Sequence, residues 1–198
     1  VTVGAYSIIG ENVEIGANTR IGAHVVIDGH TSIGSDNVIH PFCTLGGPPQ
    51  DKKYRGETTY LKIGNRNTIR EYCTANCGTI QDKGITRIGD DNWIMAYVHI
   101  AHDCVVENET IFANNAQIAG HVSVGSHAIL GGFTVVHQFV SIGAHSLTAM
   151  GTILLQDLPP YVTASGNTAE AHGINSEGLK RRGFSPEAVA SLRAAYKT

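Results

Sequence analysis

The chain has 198 residues, of which 42% are hydrophobic, 16% are charged and 23 are glycine. That length suits one sizeable domain with a small appendage, and with a net charge of −3 the chain has no basic field strong enough to argue for nucleic acid. No stretch reaches the length of a membrane span and no signal-peptide pattern opens the chain, so no membrane insertion and a cytoplasmic location are expected.

A hexad starts at Val3 and steps by six through Ile9, Ile15, Ile21, Ile27, Ile33 and Ile39 to Leu45. It restarts at Ile63, Ile69 and Ala75, and again at Ile88, from where it runs to Leu154. Only Ala75 and Thr148 break the rule of a large apolar residue in first place. The second place is often Gly, as at Gly4, Gly10 and Gly16, and the fifth is small, as at Thr19, Cys43, Cys73 and Cys104. A strand alternates its faces every two residues, so the first and fifth positions both point inward. Gly in second place is expected to relieve the backbone beside the bend. Three such segments close one triangular coil, and stacked coils form a parallel β-helix with edges only at its ends. The expected body covers residues 1–166. It opens in mid-pattern at Val1, so a preceding segment is expected to be missing.

Two polar loops interrupt the register, at residues 51–62 and 81–87. A regular prism has no need of such excursions, so they are functional candidates. Residues 167–198 are read as the start of a C-terminal helical domain, truncated within a helix. Ser185, Pro186 and Glu187 form a helix start, followed by the apolar Val189, Leu192 and Tyr196. Charge is uneven: residues 1–169 hold nine Lys/Arg against fourteen Asp/Glu, a net of −5, and residues 170–198 hold five against three, a net of +2. A basic end on an acidic body suits an acidic partner.

The register places Cys77, His102, Gly120, Gln138 and Gln156 in one column on successive coils. Asn76, Asp103, His121 and His137 lie beside it, with His99 near in sequence. A corner His can act as general base, and a Gly one coil away can offer an unobstructed N–H to an oxyanion. That pair suits acyl transfer from a thioester to a hydroxyl. The plain alternative is a set of polar surface histidines on turns. The four cysteines lack paired metal-site spacing and read as buried small side chains; no metal site is expected.

The segments HIAHDC (99–104), FANNAQIAGHVSVG (112–125), VVHQF (135–139), NSEGLKRRGFS (175–185) and QDKKYRGE (50–57) resemble the UDP-N-acetylglucosamine O-acyltransferases of lipid A synthesis, within the hexapeptide-repeat acyltransferases. The resemblance runs along nearly the whole chain and implies a left-handed β-helix, a homotrimer with sites between subunits, and no cofactor. It also implies transfer of an (R)-3-hydroxyacyl group from the phosphopantetheine of acyl carrier protein to the glucosamine 3-hydroxyl of UDP-N-acetylglucosamine. By motif, it makes His102 the base, Asp103 its supporting carboxylate and Gly120 the oxyanion glycine. His99, His121, His137 and Gln138 contact substrate, and Asp51 and Lys53 reach it across the subunit boundary. Asn175, Glu177 and Arg181 match the nucleotide and pantetheine region, and Arg182, Arg193 and Lys197 face the carrier protein. Met150 matches the end of the acyl groove, where a Met shortens the preferred chain relative to Gly. The sequence departs from the family at Asn76-Cys77, where a His-Arg pair is usual. Other readings are a hexapeptide acyltransferase with a different small acceptor, a γ-type carbonic anhydrase with three zinc-binding histidines, and a binding protein without activity.

Overall fold

The computed structural model describes residues 1–197. Its strands form three sheets, of ten, eight and seven strands, which are the faces of a triangular β-helix. We call them the first, second and third sheets in the order the chain meets them. Up to Leu154, consecutive strands belong to different sheets, and each pairs in parallel with the strand one coil away: Thr2 with Arg20, Val26 with Thr44 and Ser123 with Ser141. The first positions of the hexads fill the tube, from Ile21 through Ile69, Phe112 and Leu130 to Leu154, all buried. Val3 and Ile9 are more exposed because the first coil is covered from one side only. All four cysteines are free and buried, Cys77 included.

The glycines of the second position serve a different purpose from the one expected. A Cβ at Gly4 would sit 2.5 Å from the Ala23 nitrogen, and one at Gly16 would sit 2.5 Å from the Gly34 carbonyl carbon. These glycines therefore allow close approach between coils. The left-handed backbone falls two residues later, on the fourth position, and non-glycine residues adopt it: Tyr6, Asn18, His24, Asp36 and Phe42, among others, have φ of 56–66°. Tyr6, His24, Phe42, Tyr72 and Tyr97 then stack up one edge at ring spacings of 4.8–5.1 Å, the coil repeat itself.

The expected loop bounds shift. Tyr60–Ile63 is a strand between His30–Ile33 and Ile85–Ile88, so the excursions occupy residues 48–59 and 77–84. Third-sheet strands here are four residues long, which sends Leu61 and Thr86 into the core beside Ile63 and Ile88. Both excursions leave the edge between the second and third sheets, on consecutive coils. β structure also runs past residue 166. Val162–Ser165 closes the first sheet and pairs antiparallel with Glu170–Ile174, a strand inside the segment expected to be helical.

Two helices follow. Helix α1 is Ser176–Arg181, capped by the Asn175 side chain accepting from the Gly178 N–H. Helix α2 is Pro186–Tyr196, capped by Ser185 and started by Pro186, as the sequence indicates. No helix among the described residues is long and apolar enough to cross a membrane.

Candidate active site

The edge between the second and third sheets carries His102, Gly120 and Gln138 on three successive coils, each in the turn after a second-sheet strand. His102 Nδ1 lies 2.9 Å from Asp103 Oδ2. A carboxylate only accepts hydrogen bonds, so the facing nitrogen carries the proton and Nε2 keeps its lone pair. Asp103 is itself fixed. Its side chain is fully buried, and it accepts from the Thr79 N–H at 3.0 Å and the Thr79 hydroxyl at 2.7 Å. Gly78 makes this approach possible, since a Cβ there would lie 2.7 Å from Asp103 Oδ1.

Gly120 lies beneath the imidazole. A Cβ at Gly120 would meet His102 Cε1 at 2.5 Å and Nε2 at 2.7 Å, so only Gly leaves room for the ring. The Gly120 N–H donates to no other backbone group among the described residues. The imidazole and a glycine whose amide has no backbone partner therefore lie in direct contact. His121 packs edge-on against His102 with ring centroids 5.1 Å apart, and stacks on Phe139 at 4.4 Å.

Asp51, Lys53, His102, His121 and Gln138 line one cleft of about 870 Å³. Within the single chain, Asp51 and Lys53 line the cleft that holds His102. The reason is local. The loop root at Gly47–Pro48 is tied back by Asn76, whose Nδ2 donates to the Pro48 carbonyl at 2.9 Å. Asn76 thus braces the loop that carries Asp51. Beside it, the Cys77 thiol is pushed up to about 11 by burial and by the Asp28 carboxylate, and it donates to the Gly46 carbonyl at 3.3 Å.

His99 does not line the cleft; its Nδ1 lies 2.7 Å from the Thr74 hydroxyl. His137 bonds the Gln138 carbonyl through Nδ1. Other expected residues lie on different edges. Asn175 donates to the His145 carbonyl at the edge between the third and first sheets, where Arg182 pairs with Glu109. Glu177 pairs with Lys180, Arg181 is exposed, Arg193 donates to Ser176, and Lys197 caps α2. Met150 stands exposed in the turn between the first and second sheets.

Thr79, Asp82 and Phe139 escape the sequence reading. The Asp82 carboxylate lies 2.9 Å from His121 Nδ1. Both Thr79 and Asp82 belong to the second excursion, so the broken register was their one visible signal. Among the described residues, the group with metal-ligand character is His102, Asp103 and His121, within 4.8 Å of one another. His99 is not in it, so the three-histidine set of the carbonic anhydrase reading is not assembled, and the Asp103 oxygens are already engaged by Thr79 and His102.

The family described as Udp N-acetylglucosamine O-acyltransferase, domain 2, matches residues 157–198, and the bacterial transferase hexapeptide family matches residues 1–29 and 85–120. The chain is 68% identical over 197 residues to the acyl-[acyl-carrier-protein]--UDP-N-acetylglucosamine O-acyltransferase of Albidiferax ferrireducens, covering all of this chain and 75% of that protein. It is 63% identical over 161 residues to the enzyme of the same name from Thiobacillus denitrificans, covering 81% of this chain and 62% of that protein. The solved UDP-N-acetylglucosamine O-acyltransferase of Moraxella catarrhalis superposes with a TM-score of 0.97 at 49% identity, covering 98% of this chain and 76% of that one. The enzyme of Francisella novicida gives 0.96 at 40% identity, covering 98% and 71%. On the strength of these relatives and of the shared fold, the chain belongs to the UDP-N-acetylglucosamine O-acyltransferase family.

Proposed function

We propose that the chain transfers an (R)-3-hydroxyacyl group from acyl carrier protein to the 3-hydroxyl of UDP-N-acetylglucosamine, the first step of lipid A synthesis, with His102 as general base. The observation that carries the chemistry is the His102 ring, anchored to Asp103 and lying over Gly120. His102 Nε2 takes the proton of the acceptor hydroxyl as its oxygen attacks the thioester carbonyl. The imidazolium then donates both its N–H groups, one of them to Asp103. Negative charge on the carbonyl oxygen meets the Gly120 N–H. On collapse the C–S bond breaks, the ester C–O bond remains, and the imidazolium returns its proton to the phosphopantetheine thiolate. No covalent enzyme intermediate and no resident cofactor enter these steps. General-base catalysis is worth about 10²–10⁴ in rate, and one oxyanion donor about 10²–10³.

Asp51, Lys53, His121 and Gln138 line the cleft and are the acceptor-binding candidates on the same chain. A homotrimer, a cytoplasmic location and carrier-protein contacts by Arg182, Arg193 and Lys197 complete the proposal. The test is an acyl-transfer assay with UDP-N-acetylglucosamine and 3-hydroxyacyl carrier proteins, on wild type and His102→Ala. The expected result is transfer by wild type and a loss of at least about 10²-fold in kcat for a folded variant. Near-normal turnover by folded His102→Ala would remove the base from the mechanism.

A further inference from the structure

The short excursion 77–84 holds two side chains against the cleft. Its fold is set by one acceptor, the Thr79 carbonyl, which receives the Asp82 N–H at 3.2 Å and the Gly84 N–H at 3.0 Å. Gly84 closes the loop with φ +70°. The same Thr79 grips Asp103 and, through it, His102. Three residues on, Asp82 reaches His121 Nδ1 at 2.9 Å, and its side chain makes no other hydrogen bond among the described residues. One loop therefore orients both imidazoles of the cleft.

We propose that Asp82 is a positioning residue for acyl transfer: it fixes His121 with the proton on Nδ1, so that Nε2 accepts a hydrogen bond from a hydroxyl or amide N–H of the sugar acceptor. The chemistry follows from the partner. A carboxylate has no proton to donate, so the nitrogen facing it must be N–H. In the neutral ring the other nitrogen is then an acceptor. A free imidazole can carry its proton on either nitrogen, and the ring could rotate. Here rotation is checked by the Phe139 stack and by the T-shaped contact with His102. The His121 side chain is only 14% exposed, while Asp82 is 37% exposed on the rim. The pair thus resembles the His102–Asp103 pair in geometry, but its acid is at the surface and its ring looks on from the side of the reacting centre. That suits holding the acceptor rather than moving its proton. The sugar is the committed ligand because hydroxyls and an N-acetyl N–H are the donors that UDP-N-acetylglucosamine brings.

The proposal rests on the acyltransferase reading, and its test separates the two. The first arm needs no turnover: nitrogen NMR of histidine-labelled protein, with the His121 signal assigned from a His121→Gln variant. Wild type is expected to show the Nδ1–H tautomer at His121, Asp82→Ala to lose it, and Asp82→Asn to keep it, since an amide oxygen accepts the same hydrogen bond. The second arm is steady-state kinetics. Asp82→Ala should raise KM for UDP-N-acetylglucosamine about five- to tenfold, the scale of one neutral hydrogen bond, with kcat within about threefold of wild type. Asp82→Asn should recover most of the KM. An Nε2–H tautomer in wild type, an unchanged tautomer in Asp82→Ala, or a loss confined to kcat would each overturn the assignment. Absence of any transfer by wild type would instead sink the acyltransferase reading and leave the tautomer result standing by itself.

Discussion

At the scale of single residues, Asp103 is the most constrained side chain of the cleft. Thr79 supplies it with two donors and His102 with a third. In Asp103→Asn the two Thr79 donors hold the amide oxygen, so the amide N–H, unlike the unconstrained amide of Asp82→Asn, faces Nδ1; that favours the ring form with its proton on Nε2 and removes the base. The expected loss is about 10²-fold or more in kcat with a small change in KM, checked by steady-state kinetics on the folded variant. His99 gives a stability prediction. Burial, and then the charge of His102, lower its pKa from the ordinary 6.5. Between the lowered folded value and about 6.5, the unfolded chain binds a proton that the folded chain refuses, so stability falls as pH drops below about 6.5. His99→Gln should make urea-unfolding stability less steeply dependent on pH between about 7 and 5. An unchanged slope would show that the His99 shift does not matter to folding.

At the scale of elements, the edge between the third and first sheets contains a polar ladder inside an apolar tube. Asn37, Asn67, Asn92 and Thr110 take the fifth position on consecutive coils and are all about 1% exposed. Each Asn oxygen accepts the backbone N–H of the next rung, at 2.8–2.9 Å. Asn67 also donates to Asn37 Oδ1 and to the Gly89 carbonyl. Asn67→Ala would strand the Asn92 N–H and the Gly89 carbonyl, costing about 2–4 kcal/mol in thermal or urea unfolding. A neutral result would mean that water replaces the rung. The ladder also shows what the sequence discloses and what it hides. Period six and its small fifth position reveal the tube, because burial leaves no other pattern. Polar residues in that position read only as small, since their partners lie a whole coil away. The aromatic stack from Tyr6 to Tyr97 is hidden for a further reason: bulky side chains in left-handed backbone run against local propensity, and only coil-to-coil stacking makes them sensible. Helix α2 is legible from its cap. Helix α1 and the strand Glu170–Ile174 are too short and irregular to leave a periodic mark. Within the site, the His102 column was readable from register. Thr79 and Asp82 were not, because a loop has no register to read.

At the scale of the whole molecule, residues assigned to one substrate occupy three different edges of the prism. His102, Gly120 and Asp51 share the edge between the second and third sheets, Asn175 and Arg182 lie at the next, and Met150 stands at the last. A single chain cannot bring these edges to one acyl chain and one nucleotide, whereas packed copies can, which is the physical argument for the proposed trimer. It predicts partial rescue when His102→Ala subunits are mixed with Arg181→Ala subunits, because some clefts then hold both wild-type residues. Mixing His102→Ala with Asp51→Ala should give no rescue if the cleft within each chain is the working one, since those two residues line it together. Met150 extends the argument to chain length. It is 79% exposed in one chain, and so open to a neighbouring copy or a ligand. If it closes the far end of an acyl groove shared between copies, its bulk ends the groove sooner than Gly would. Each buried CH₂ is worth about 0.8 kcal/mol, and forcing extra ones against a filled groove costs about 1–3 kcal/mol. The expected preference is therefore a 3-hydroxyacyl chain of about ten to twelve carbons over fourteen, by about tenfold or more, since about 1.4 kcal/mol is a factor of ten. Measuring kcat/KM across donor lengths in wild type and Met150→Gly decides it: a wild type that favours fourteen carbons, or a Gly variant that does not move toward longer chains, removes Met150 as the stop.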